Sequence, residues 1–440
     1  MLLKVVKNTV LLLLLVTLSC GNKLNTEDRS QKSEALADKD ASIATNEILK
    51  NSEAAERNDK TIIVGANRTE LYLTLLKEKR VGVVANQTSV IFHEIATSRK
   101  KIETRNDSSY THLVDSLMHL NINVKKVFAP EHGFRGTADA GELVKDGKDT
   151  KTGLHIYSLH GKHKKPTKTQ LEDVDIMVFD IQDVGVRFYT YISTLHYVME
   201  ACAEQNIPLI ILDRPNPNGN YIDGPVLKKE HSSFLGMHPI PLVHGMTIGE
   251  YAQMINGENW LKKNIKCKLR VIPVKNYSHK SLYSLPIRPS PNLPNGQSIT
   301  LYPSLGLFEG TNINAGRGTE FQFQRFGAPF LDKNYYEFSY TPISNFGAKY
   351  PKHQNKICHG VNLHEVKTER YFTLNYIINA YNHATDKSKI FNTSNFTTHA
   401  GTEKLQKQIE AGLTEVEIKA TWKDDLEAFK NTRKLYLIYN

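Results

Sequence analysis

The chain has 440 residues, of which 40% are hydrophobic, 9% aromatic and 23% charged. These proportions fit a globular protein of two or more domains and exclude a chain disordered throughout. A formal charge of +10 excludes an acidic, solvating chain and admits an anionic partner, while four cysteines in this length exclude a disulfide scaffold.

Lys4 and Lys7 precede an apolar run from Val10 to Val16, followed by Thr17-Leu18-Ser19-Cys20-Gly21. A basic start, a short apolar stretch and small residues at the end form a secretory leader, too short for a comfortable membrane span. Cys20 directly after Leu-Ser resembles a bacterial lipoprotein signal. It implies cleavage before Cys20, acylation of that thiol and a membrane-anchored protein of the cell envelope. Residues 21–59 lack aromatics and are rich in Asp, Glu, Lys, Asn and Ser, so they read as a flexible tether over 21–60. Residues 1–60 hold nine basic and nine acidic side chains, which leaves the whole +10 on the folded body. The remaining cysteines, Cys202, Cys267 and Cys358, are widely spaced and read as buried small hydrophobes.

From residue 61 short apolar runs alternate with amphipathic stretches. The runs are 80–86, 124–130, 175–181 and 208–213, each rich in β-branched residues and nearly continuous in hydrophobicity, as buried parallel strands are. Helical stretches fall at 110–120 and 194–205, and a later run, 268–274, extends the same sheet or begins another unit. The alternation predicts an α/β fold with a Rossmann-like parallel sheet over 61–285. The Pro-, Asn- and Ser-rich stretch 286–300 reads as a connection. A smaller α+β part follows to residue 440, with helical segments at 401–412 and 422–439.

Ligands of open α/β sheets bind at the carboxyl ends of the strands. The first run ends in Asn86-Gln87-Thr88 and the second in Pro130-Glu131-His132-Gly133-Phe134-Arg135-Gly136. The third delivers Asp180, Gln182, Asp183, Arg187, Tyr189 and Tyr191, and the fourth Asp213, Arg214 and Asn216. A second polar cluster holds Glu309, Asn312, Arg317 and Glu320 among glycines that let backbone approach a ligand. Arg317 there is suited to grip a carboxylate. Turn formation, capping and internal ion pairing remain competing roles for each of these residues. No G-x-G-x-x-G follows the first strand, the Gly141–Asp149 loop departs from a Walker A loop, and no H-E-x-x-H or G-x-S-x-G occurs. A nucleotide-dependent enzyme is therefore disfavoured, and sparse basic patches together with export disfavour a nucleic-acid partner.

Six blocks, Ala85–Thr88, Pro130–Gly136, Phe179–Tyr191, Leu212–Pro217, His244–Glu250 and Glu309–Thr319, together resemble the signature blocks of the NamZ-type exo-β-N-acetylmuramidases. They occur in the family's order and span about residues 62–440. The resemblance implies an active-site cleft between a Rossmann-like part and a smaller carboxyl-terminal part. It also implies release of β-1,4-linked N-acetylmuramic acid from the non-reducing ends of peptidoglycan fragments, with no metal or nucleotide cofactor. The family's catalytic glutamate corresponds to Glu131. After Gly-Arg-Gly-Thr this chain reads Glu320-Phe-Gln-Phe-Gln-Arg325, longer than the family pattern, which bears on fine specificity.

Glycoside hydrolysis needs a proton donor and a nucleophile or base. Glu131 is the candidate donor, and Asp180, Asp183 or the substrate's own acetamido group is the candidate partner. Arg317, Arg187 and Arg214 are candidates for the lactyl carboxylate of muramic acid. Asn86, His132, Arg135, Gln182, Tyr189, Asp213, Asn216, Glu309 and Asn312 complete the candidate binding set. A non-catalytic lipoprotein that captures muropeptides is the competing reading.

Overall fold

Strands buried on both faces need apolar side chains at every position, and this requirement shapes the centre of the molecule. The computed structural model describes residues 61–93, 110–136, 146–367 and 370–440, and residues Thr61–Asn440 form one compact unit. The leader, the tether and Cys20 lie outside the described residues.

The amino-terminal half contributes nine strands in chain order: β1 (Val81–Ala85), β2 (Val90–Phe92), β3 (Tyr110–His112), β4 (Val124–Ala129), β5 (Gly147–Lys148), β6 (His155–Ser158), β7 (Ile176–Asp180), β8 (Leu209–Leu212) and β9 (Leu269–Ile272). Seven of them form one sheet in the order β5-β6-β4-β1-β7-β8-β9, parallel throughout except for the antiparallel edge pair β5–β6. The run at 268–274 therefore extends the first sheet, as its outer strand. Strand β6 was not legible, because three of its four residues are only partly buried and its apolar run is broken by His155 and Tyr157.

Successive residues of the central strands point into two different cores. Val84, Phe128, Phe179 and Ile211 pack with residues of α2 (Tyr191–Glu204) and α3 (Ile248–Gly257). Val83, Val127, Val178 and Ile210 pack with Leu113 and Leu117 of α1 (Leu113–His119). The chain winds outward from β1 to β4 and β6, then returns to the other side of β1 at β7. The carboxyl ends of β1 and β7 thus flank the point where the winding reverses, the usual crevice of such sheets.

The carboxyl-terminal half begins with α4 (Gly296–Leu305), so the stretch expected to be irregular up to Thr300 turns helical earlier. Asn295 and Ser298 form a reciprocal cap there, and the helix accommodates Pro303. A three-stranded antiparallel sheet follows, β10 (Arg325–Ala328), β11 (Phe338–Tyr340) and β12 (Cys358–Asn362), with β12 in the middle. Helices α5 (Asn375–Asn382), α6 (Thr393–Ala400), α7 (Lys404–Glu410), α8 (Glu415–Ala420) and α9 (Lys423–Lys434) close the chain. Gly401, expected to open a helix, instead ends α6 at φ +75°. Cys202, Cys267 and Cys358 are free and buried.

Two buried acids hold the sheet's carboxyl edge. Asp180, the last residue of β7, takes a bidentate ion pair from Arg214 just beyond β8, at 2.6 and 2.9 Å, with both side chains sealed from solvent. Asp213 accepts from the Gly249 amide at the start of α3, the Thr247 hydroxyl and the Tyr439 hydroxyl at 2.7–2.8 Å. It ties strand, helix and carboxyl-terminal residues together. Removing one member of a sealed pair strands the other charge. Asp180→Asn is expected to lower the unfolding free energy by about 3 kcal/mol or more in denaturant titration; a loss under about 1 kcal/mol would show that the pair is not structural.

Candidate active site

Glu131 and His132 leave the end of β4 in a turn that the Gly133 amide closes on the Pro130 carbonyl at 3.1 Å. His132 holds φ +70°, a left-handed conformation uncommon for a residue with a side chain. Both side chains face a cavity of about 150 Å³ at the sheet's carboxyl edge. Its walls come from separated parts of the chain: Glu131 and His132; Phe188 to Tyr191; Leu235; Ser290, Asn292 and Leu293; Tyr302, Glu309, Arg317 and Phe323; and His399 of α6. Two wider grooves, of about 580 and 540 Å³, lie elsewhere. The wider has no acid in its lining and the other only Glu337, so the chemistry concentrates in the smaller cavity.

Within it, Thr190 donates to Glu131 Oε2 at 3.3 Å. The Tyr191 hydroxyl reaches the Glu131 carbonyl at 3.5 Å and receives the Asn86 amide at 3.0 Å, so Asn86 acts beneath the site through Tyr191. Tyr189 forms wall, its hydroxyl donating to the Pro289 carbonyl at 2.8 Å and its ring edge-on to Tyr191.

Glu309 forms an ion pair with Arg317 at 2.8 Å. Burial pushes its pKa up, but the Arg317 guanidinium, then Lys352, outweigh burial and hold the carboxyl below its ordinary range. Lys352 donates to the Phe308, Glu309 and Thr311 carbonyls, and burial lowers its pKa. Burial likewise lowers His399, whose Nδ1 donates to the Asn395 carbonyl at 2.8 Å. The second nitrogen is then an acceptor in the neutral ring. The cavity thus combines one acid beneath a threonine hydroxyl with a second kept ionised by cations.

Other predicted residues lie outside the cavity lining. Asp180, Arg214 and Asp213 serve the contacts given above, and Arg214 is sealed away from any substrate carboxylate. Gln182 donates to the Asp183 and Pro215 carbonyls, and Asn216 to the Met246 carbonyl. Arg135 pairs with Asp149 and Asp115, and Asn312 is exposed and donates to the Lys389 carbonyl. Arg187, expected to meet an acid or a substrate, is fully buried and donates instead to four carbonyls: Pro225, Ile240, His399 and Ala400. The last two are the open end of α6, where a cation is favoured. A side chain on Gly401 would come within 2.6 Å of that guanidinium.

Sequence reasoning missed Tyr302, Ser290, Asn292, Phe323, Lys352 and His399. The Pro-Ser-Pro-Asn-Leu run at 289–293 was read as connection and is in fact wall.

Both halves of the chain match family models, Exo-beta-N-acetylmuramidase NamZ, N-terminal, over residues 81–297, and its C-terminal counterpart over 300–439. The chain belongs to the NamZ family. It is 39% identical over 387 residues to the peptidoglycan beta-N-acetylmuramidase NamZ of Bacillus subtilis, spanning 84% of this chain and 89% of that one. Two crystal structures of DUF1343 family proteins from Bacteroides fragilis share the chain's fold. One is 44% identical with a TM-score of 0.76, covering 87% of this chain and 99% of that one. The other is 29% identical with a TM-score of 0.70, covering 86% and 99%.

Asp183 is also buried. It accepts from the Gly185 amide at 2.7 Å, lies 3.7 Å from His244 Nε2, and is pushed by burial to about 7. The folded state therefore holds its proton more tightly than the unfolded state does. Its stabilising share is complete below about pH 4 and is lost as the pH rises towards 7. Between pH 5 and 7 wild type is expected to lose about 2 kcal/mol more stability than Asp183→Asn. Parallel pH profiles of unfolding would refute this.

Proposed function

We propose that the chain is an exo-acting glycoside hydrolase that releases β-1,4-linked N-acetylmuramic acid from the non-reducing ends of peptidoglycan fragments. The observation that carries this reading is the cavity lined by both Glu131 and the Glu309–Arg317 pair. Family membership supplies the reaction class.

In this reading Glu131 protonates the departing glycosidic oxygen, with Thr190 orienting its carboxyl. Glu309, held ionised, stabilises positive charge developing at the anomeric carbon or takes the proton of the incoming water. Its place in the cavity favours Glu309 over Asp180 and Asp183 as the second carboxyl group. Arg317 is the cation presented to the lactyl carboxylate, shared with Glu309, because Arg187 and Arg214 are committed elsewhere. Lys4, Lys7 and Cys20 support export and lipid attachment on the envelope, where such fragments are met.

Glu131→Gln is expected to reduce turnover of a chromogenic β-N-acetylmuramide by about 10²–10⁴-fold with the melting temperature nearly unchanged. Retained turnover would remove Glu131 from the reaction. Arg317→Ala is expected to raise KM for the muramide by about tenfold more than for the matching glucosaminide; equal effects on both would exclude the lactyl contact.

A further inference from the structure

In the hydrolase reading, a cavity that takes the terminal sugar leaves the rest of the fragment to pass over its rim. One rim segment, residues 343–350, exposes three large apolar side chains: Ile343 at 57%, Phe346 at 55% and Tyr350 at 82%. Exposed apolar groups gathered on one short segment mark a contact surface more often than scattered ones do.

The segment is fixed to the cavity wall. Asn345 and Ala348 exchange backbone hydrogen bonds at 3.2 and 3.1 Å, which closes a tight turn with Phe346 at its tip and Gly347 at φ +93°. The Gly347 carbonyl receives the Asn292 amide at 2.7 Å and Arg317 Nη2 at 3.2 Å. Both donors line the cavity. The Asn345 side chain donates to the Thr319 carbonyl at 3.1 Å, and the Ile343 amide to the Gly318 carbonyl at 2.9 Å. An aromatic ring with two rotatable bonds on a turn so held loses little freedom when a ligand covers it.

We propose that Phe346, flanked by Tyr350, is the platform on which the sugar following the scissile bond stacks, a proposal that rests on the hydrolase reading above. Pyranose rings present a face of C–H groups, and an aromatic face meets them by dispersion and by its negative quadrupole. The same Arg317 that faces the terminal sugar braces the turn beneath the next one. Binding in the cavity and binding on the rim are thereby kept in register.

The test uses the muramic acid–glucosamine disaccharide with and without a stem peptide. Phe346→Ala is expected to lower kcat/KM on the bare disaccharide by about tenfold, mainly through KM, the scale of one lost aromatic contact. Phe346→Trp is expected to restore it and Phe346→Leu not. Since the side chain is exposed, the melting temperature is expected to stay constant. Unchanged kcat/KM for Phe346→Ala, or equal rescue by Leu and Trp, overturns the platform alone. A loss confined to peptide-bearing substrate assigns the surface to the peptide and overturns it too. Wild type inactive on every β-muramide would instead overturn the hydrolase reading, and the platform with it.

Discussion

Arg187 is a cation buried without a carboxylate, and the geometry of the site depends on it. Its two Nη atoms donate to four carbonyls, two from the loop region between β8 and α3 and two from the end of α6. Burial lowers its pKa to about 9, so it stays charged at neutral pH, and the helix end supplies the compensating partial negative charge. The contact joins the segment between β7 and α2, which carries Tyr189 and Thr190, to the helix that carries His399. One arginine outside the cavity lining therefore ties together two of the cavity's walls.

The same logic runs along the sheet's carboxyl edge. Polar residues collected there as the topology demands, but most are used to hold the edge together. Asp180 and Arg214 clamp β7 to the segment beyond β8, and Asp213 anchors α3 and Tyr439. The outer layer, Glu131 with Thr190 and Glu309 with Arg317, is left facing the cavity. A rigid inner layer supporting a small outer one is what precise placement of reacting groups requires.

Much of this was legible in the sequence, for identifiable reasons. Strands β1, β4, β7 and β8 announce themselves because both faces are buried, and the polar residues after them are fixed by the strand direction. Glu131, His132 and Tyr189 were found in this way, Glu309 and Arg317 in a glycine-flanked cluster, and all five line one cavity. The layer to which a polar residue belongs was not legible. Asp213 and Glu131 each follow a strand, yet only the packing of α3 and Tyr439 on Asp213 separates their roles. Tyr302 and His399 were invisible for another reason. Each sits on a helix from the far half of the chain, with an ordinary local pattern, and becomes wall only when that half docks.

The cavity's walls are drawn from residue 131 to residue 399, and the Arg187 contacts to α6 close a span of 212 and 213 residues. The consequence is kinetic. Contacts of such separation form only after the large loops between them have closed, and they dominate the slow end of folding. One buried core runs from Val84 and Phe179 to Phe326, Ile418 and Phe429, so the sheet's own short-range contacts can form before the cavity is complete. Regain of catalytic competence is then a late event in refolding, later than regain of helix and strand content, and a chain halted short of it carries no partial site.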